Sequence, residues 1–149
     1  MIEDRKNLNV VLIDDEEKSR LILKQLIEEY IPDVTVVAMA ADVPEGVKMI
    51  QEHNPDVIFL DIEMPGYSGF SLIEYFDEIN PSTAPRSGYD PGRSFKIVFI
   101  TAYEKYAIKA YKAAAFGYLL KPIDIDELID IFKKLFKRLK NKPDDNILT

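Results

Sequence analysis

The chain has no cysteine in its 149 residues, which excludes disulfides and thiolate metal sites. No uninterrupted apolar stretch approaches the roughly 20 residues that a membrane helix needs. The opening, Met1-Ile2-Glu3-Asp4-Arg5-Lys6, is charged and lacks the apolar core of a signal peptide. A cytoplasmic protein with no membrane contact is the expectation. Basic charge is in deficit: the net charge is -7 and the pI about 4.8. That argues against this chain alone gripping a phosphate backbone, which takes clustered lysine and arginine. Histidine occurs once, at His53, beside the helix-breaking Asn54-Pro55 and far from any expected strand end. No internal repeat or low-complexity segment is present. What is there, 47% hydrophobic and 30% charged residues, describes one globular domain large enough to bury a core.

Short apolar runs alternate with helical patterns. Leu8 to Ile13 reads as a strand buried on both faces, followed by a helix over Ser19 to Tyr30 with Ile22, Leu23, Leu26, Ile27 and Tyr30 on one stripe. Val34 to Ala38 is the second strand. Asp42 is placed to cap a helix that Pro44 opens, and Asn54-Pro55 breaks it before the third strand, Val57 to Leu60. Gly69 to Ile79 is a helix buried through Leu72, Ile73 and Phe76. Lys96 to Ile100 is a strand, Tyr103 to Ala114 a helix and Phe116 to Leu120 the fifth strand. The last helix starts near Asp124 or Asp126, with Leu128, Ile129, Phe132, Leu135, Phe136 and Leu139 at helical spacing. Its basic end, Lys133-Lys134 and Lys137-Arg138, reads as a solvated face complementing the helix dipole rather than a nucleic-acid contact. Between Asn80 and Ser94, Pro81, Pro85, Gly88, Pro91 and Gly92 mark an irregular surface insertion. The organisation expected is a tail over 1–7, a domain over 8–140 interrupted at 80–94, and a tail or linker start over 141–149.

Five strands alternating with five helices predict an α/β fold, a three-layer, doubly wound parallel sheet, for which right-handed crossovers leave few topologies and the flavodoxin-like strand order 2-1-3-4-5 is one common solution. In such sheets ligands sit beyond the carboxyl ends of the strands. The run Phe59-Leu60-Asp61-Ile62-Glu63-Met64-Pro65-Gly66 delivers a carboxylate to one such end, and Asp14-Asp15, Thr101 and Lys121 fall at three others. Neighbouring carboxylates repel unless a cation lies between them. Mg²⁺ suits them, taking one or two carboxylates, water and phosphate oxygens. Lys121 adds a point charge suited to phosphate and Thr101 a hydroxyl donor. An aspartate can act as a phosphoryl nucleophile and form an acyl phosphate. Singly, Asp14-Asp15 also reads as an acidic helix cap, Thr101 as a strand-end hydroxyl and Lys121 as a surface lysine. Asp61 follows four apolar strand residues and must be near-buried and paired.

Four segments carry a family resemblance: Val11-Leu12-Ile13-Asp14-Asp15-Glu16, Leu60-Asp61-Ile62-Glu63-Met64-Pro65-Gly66, Phe99-Ile100-Thr101-Ala102 and Tyr118-Leu119-Leu120-Lys121-Pro122. From about Leu8 to Lys140 the chain resembles the receiver domain of bacterial two-component response regulators. Thr101-Ala102-Tyr103-Glu104-Lys105-Tyr106-Ala107 and the Lys121-Pro122-Ile123 ending look most like receivers that precede a LytTR (LytR/AlgR-type) DNA-binding domain. The resemblance implies that Asp61 accepts a phosphoryl group from the phosphohistidine of a sensor histidine kinase. It implies Mg²⁺ bound by Asp15 and Asp61 side chains and the Glu63 backbone carbonyl, with Asp14 acting indirectly. Thr101 and Lys121 would bind phosphoryl oxygens, Thr101 and Tyr118 would form the switch, and the Lys121-Pro122 bond is a candidate cis peptide. The chain would then be a phosphoacceptor switch, catalysing its own phosphorylation and dephosphorylation rather than turning over a substrate. Output would pass through the face of the fourth helix, fifth strand and fifth helix, also the surface for a homodimer. The aromatic group Tyr103, Tyr106, Tyr111, Phe116 and Tyr118 gathers there and reads either as core or as that face.

Other readings compete. A haloacid-dehalogenase-type Mg²⁺ phosphatase normally has Asp-x-Asp, where this chain has Asp61-Ile62-Glu63. A flavodoxin needs a Ser/Thr/Gly-rich phosphate loop after the first strand, where Asp14-Asp15-Glu16-Glu17 would repel phosphate. A pure interaction module has no use for the whole constellation. A LytTR domain takes about 100 further residues, so the chain reads either as a stand-alone regulator working by protein contact or as part of a longer protein that reaches DNA through an output domain.

Overall fold

Alternating side chains decide the architecture. The computed structural model describes residues 7–79 and 93–140. The expected tails, apart from Asn7, and most of the 80–94 insertion lie outside the described residues. The strands are β1 (Leu8–Ile13), β2 (Val34–Ala40), β3 (Val57–Leu60), β4 (Lys96–Thr101) and β5 (Gly117–Leu120). All pair in parallel, in the order β2-β1-β3-β4-β5, as expected. The helices are α1 (Glu17–Tyr30), α2 (Val43–His53), α3 (Gly69–Ile79), α4 (Ala107–Lys112) and α5 (Ile125–Lys140).

Side chains of successive strand residues point to opposite faces. Val11, Ile13, Ile58, Leu60, Ile97 and Phe99 therefore share one face with Ile50 of α2, Leu72, Ile73 and Phe76 of α3 and Ala110 of α4. Leu8, Val10, Leu12, Val57, Phe59, Val98, Ile100 and Leu119 share the other with Leu23 and Ile27 of α1 and Leu128, Phe132 and Leu135 of α5. The Phe59 and Phe132 rings stack with centroids 5.4 Å apart. Each fully buried side chain of this size contributes about 1.5–3 kcal/mol. β3 is buried at every residue because both layers cover it.

Local signals set several boundaries. Asp42 caps α2 by accepting a hydrogen bond from Glu45 N–H at 2.8 Å, and Glu45 reaches back to Ala41 N–H at 2.8 Å. Asn54 ends α2 in the left-handed region at φ 46°. A Cβ on Gly117 would come within 2.2 Å of Ile131, so this glycine lets α5 lie close on β5.

Two expectations change. The stripe on α1 is narrower than the sequence suggests: Leu23 and Ile27 are buried, but Ile22 and Tyr30 are 46% and 48% exposed. α1 meets β1 and β2 at one side of the sheet, so its outer apolar residues find no cover. The helix expected over Tyr103 to Ala114 divides into a 3₁₀ turn, Glu104–Tyr106, and the six-residue α4. Ala114 takes φ 61° and turns the chain so that Phe116 N–H bonds the Ile97 carbonyl at 2.7 Å, starting β5 pairing.

Candidate phosphoryl and metal site

The parallel ladder runs one residue past the strands and fixes the residues that follow. Asp14 N–H donates to the Ala40 carbonyl at 3.1 Å, Asp61 N–H to the Ile13 carbonyl at 2.9 Å and Lys121 N–H to the Thr101 carbonyl at 2.8 Å. The side chains of Asp14, Asp61 and Lys121 thus start from one rim of the sheet, beside Thr101 at the end of β4. Asp14, Asp61 and Thr101 are the buried polar residues among the described ones.

Carboxylate oxygens of Asp14, Asp15 and Asp61 lie within 4.8 Å of one another, a group that can hold a metal ion. Asp15 is the most accessible of the three. Lys121 Nζ reaches Asp14 Oδ2 at 2.8 Å, Asp61 Oδ2 at 3.3 Å and Glu16 Oε1 at 3.7 Å. Asp61 Oδ1 also accepts a hydrogen bond from Ile62 N–H at 2.8 Å. Burial pushes the Asp61 carboxyl up from 3.8 to about 6; Asp14 adds to the rise and Lys121 opposes it. Burial alone would pull the Lys121 ammonium down, but Asp14 and Asp61 outweigh it and hold it above its usual range. The lysine remains charged and partly neutralises the two buried acids.

Gly69 fixes the backbone beneath Asp61. Its N–H donates to the Ile62 carbonyl at 2.8 Å, and a Cβ there would lie 2.4 Å from the Asp61 carbonyl oxygen. α3 can begin this close to Asp61 only on a glycine. Thr101 is fully buried, and its hydroxyl oxygen accepts from Tyr103 N–H at 3.3 Å, leaving its proton to donate. The Lys121-Pro122 bond is cis.

Of the residues singled out in the sequence, Asp14, Asp15, Asp61 and Lys121 come together. The side chains of Glu63, expected to contribute only its backbone carbonyl, and of Tyr118, expected at the switch, make other contacts. The Glu63 carboxylate accepts a hydrogen bond from the Tyr106 hydroxyl, and the Tyr118 hydroxyl donates to the Tyr103 carbonyl. His53 is exposed at the end of α2. Two contributors carried no signal of their own in the sequence. Arg20 Nη1 donates to the Asp14 carbonyl at 2.7 Å, bracing the β1 end from α1. Tyr106 was visible as one of several aromatics and within the run from Thr101 to Ala107, neither of which pointed to Glu63. Asp14 also begins the turn into α1 by accepting from Glu16 N–H at 2.9 Å, so its capping and cluster roles coexist.

The family model described as response regulator receiver domain matches residues 10–133. The chain is 39% identical over 142 residues to an uncharacterized response regulatory protein of Vibrio cholerae, covering 95% of this chain and 54% of that protein. It is 35% identical over 141 residues to the transcriptional regulatory protein BtsR of Escherichia coli, covering 95% and 53%. The chain therefore spans about half the length of these relatives. Its fold is similar to that of the response regulator TrrA of Thermotoga maritima, solved in complex with Mg²⁺-BeF, at TM-score 0.67 and 29% identity, covering 86% of this chain and 98% of that one.

Proposed function

Because this chain belongs to the response regulator receiver family and is the receiver domain of a two-component response regulator, we propose that Asp61 is its phosphoacceptor. The observation that carries this is the meeting of a buried Asp61 with Lys121 inside the cluster of Asp14 and Asp15. In the transfer, an Asp61 carboxylate oxygen bonds to phosphorus as the bond to the imidazole nitrogen of a kinase phosphohistidine breaks, and the electron pair leaves with the imidazole. Lys121 and the Thr101 hydroxyl would stabilise charge on the phosphoryl oxygens, which restricts their gain to the transition state and product. The chain thereby catalyses its own phosphorylation and dephosphorylation.

The three clustered carboxylates are all-oxygen, anionic and mutually repulsive, a donor set suited to a hard divalent cation. Asp15 and Asp61 would hold Mg²⁺ by side chain and Glu63 by its backbone carbonyl, with Asp14 assisting indirectly. When bound, the ion would neutralise phosphoryl charge and relieve repulsion among the acids. The Mg²⁺-BeF complex of the similar Thermotoga protein supports this choice of metal.

In this reading Thr101 and Tyr118 are the switch, biasing a two-state equilibrium at α4, β5 and α5. Ile108 and Tyr111 on α4 are 71% and 83% exposed, which supports this face as a homodimer or output surface. The 8–140 receiver would sit in the cytoplasm, where ATP charges the kinase, and control a DNA-binding output domain of LytTR type. The motif after Thr101 and the name of the BtsR relative favour a transcriptional output. Asp61→Asn tests the central claim. It should abolish labelling by acetyl phosphate with Mg²⁺, followed on a phosphate-affinity gel; undiminished labelling would overturn it.

A further inference from the structure

Asp14 and Asp15 follow the end of β1 side by side, and they are held unequally. Asp14 is fixed three times over: its N–H pairs with the Ala40 carbonyl, its Oδ1 accepts from Glu16 N–H at 2.9 Å, and its Oδ2 lies 2.8 Å from Lys121 Nζ. The Asp15 side chain makes no hydrogen bond or ion pair with another described residue. One of its carboxylate oxygens nevertheless lies within 4.8 Å of those of Asp14 and Asp61. What aims Asp15 is therefore the backbone it stands on.

That backbone is braced from α1. The carbonyl of Asp14 and the N–H of Asp15 belong to one planar peptide. Arg20 Nη1 donates to this carbonyl at 2.7 Å, and among the described residues the peptide makes no second hydrogen bond. Arg20 N–H bonds the Glu16 carbonyl at 3.1 Å, which places the residue one turn into the helix. Helical side chains lean toward the N-terminus, so the guanidinium reaches back over that turn to the end of β1. A guanidinium beside an acid cluster repels a metal ion by charge, so any benefit it brings to cation binding is geometric. Mg²⁺ demands near-ideal octahedral geometry, whereas Ca²⁺ accepts flexible sets of oxygen ligands. We infer that Arg20 is a positioning residue: acting through the peptide between Asp14 and Asp15, it aims the Asp15 carboxylate and adapts the cluster to the smaller, geometrically stricter cation. The inference rests on the reading of Asp14, Asp15 and Asp61 as a divalent-cation site.

Arg20→Met keeps much of the stem and removes the donor. Wild type, Arg20→Met and Arg20→Lys would each be titrated, as the full chain, with Mg²⁺ and separately with Ca²⁺ by isothermal titration calorimetry. Arg20→Met should bind Mg²⁺ about tenfold more weakly, as loss of a group that orients a metal ligand typically does. Its affinity for Ca²⁺ should fall by less than about threefold, because that ion tolerates a shifted carboxylate. One guanidinium nitrogen makes the bond, so Arg20→Lys, which keeps the charge and a donor, should recover Mg²⁺ binding to within about threefold of wild type. Unchanged or tighter Mg²⁺ binding by Arg20→Met would overturn the inference. So would an equal loss for both cations, the mark of a general loosening, which a lowered thermal midpoint without metal would corroborate. If wild type binds neither cation, the reading of the cluster fails first and the inference falls with it; if wild type binds Mg²⁺, only the role of Arg20 is under test.

Discussion

Lys121 and Tyr106 both reach across the carboxyl end of the sheet, and they are held in opposite ways. Lys121 leaves a backbone already paired to β4, and its ammonium faces Asp14, Asp61 and Glu16 together. Removing one partner leaves the others in place. Tyr106 stands on a 3₁₀ turn with no side-chain cap, and its hydroxyl meets the Glu63 carboxylate. Tyr118 is similar, with its hydroxyl on the Tyr103 carbonyl. The difference separates two tasks. Groups proposed to carry the chemistry are over-determined by the ladder and by mutual charge. Tyr106 and Tyr118, the second of them proposed for the switch, hang on bonds that can exchange with water at small cost. A switch needs both, because a fixed reporter could not move and a loose nucleophile could not react.

Breaking the fixed side should have the largest effect. Lys121→Met removes the counter-charge while keeping much of the stem's apolar volume. Its loss takes away an electrostatic partner of the transferred group and lets burial and Asp14 raise Asp61 further. The initial rate of labelling by acetyl phosphate with Mg²⁺ at neutral pH should fall about 100-fold or more. A change under threefold would show that Lys121 only balances charge at rest.

A smaller effect comes from the charge of Asp61 itself. With its pKa raised from 3.8 to about 6, the folded protein binds this proton more tightly than the unfolded chain. The contribution to stability is therefore full below about pH 4 and is lost as pH rises through about 6. At pH 7.5 without metal, Asp61→Asn should be more stable than wild type by on the order of 2 kcal/mol in urea titrations. That gain should shrink toward zero near pH 4. A larger gain at low pH would reverse the sign and contradict burial as the main cause.

The same contrast explains what the sequence disclosed. Asp61 was legible because an apolar run that stops at a carboxylate can be satisfied in few ways, and strict alternation of strand and helix left few strand orders open, of which 2-1-3-4-5 is one common solution. The convergence of Asp14, Asp61 and Lys121 then needed only that order. The Glu63–Tyr106 contact was not legible, since neither period nor spacing relates two loops joined by one side-chain bond. The early end of the expected Tyr103 to Ala114 helix, at Lys112, was hidden for another reason. Ala113-Ala114-Ala115 has the local preference to continue a helix, and the pairing of Phe116 with Ile97 overrides it.

That override offers the mildest test of how adjustable α4 is. Ala114 N–H bonds the Tyr111 carbonyl at 2.9 Å and Ala115 N–H the Ala110 carbonyl at 3.1 Å, the paired bonds of a Schellman ending. Such an ending places its left-handed residue where glycine is ordinarily found, and here an alanine occupies it at φ 61°. Ala114→Gly relieves the Cβ penalty, though it adds backbone freedom to the unfolded chain. The net should be a stabilisation of about 0.5–1 kcal/mol, read as a rise of a few degrees in the thermal midpoint. Labelling of Asp61 by acetyl phosphate should keep its wild-type rate, because no bond at Asp14, Asp61 or Lys121 depends on residue 114. If Ala114→Gly instead slows labelling, the end of α4 and the acid cluster are one mechanical unit, and the division between fixed chemistry and movable reporter fails.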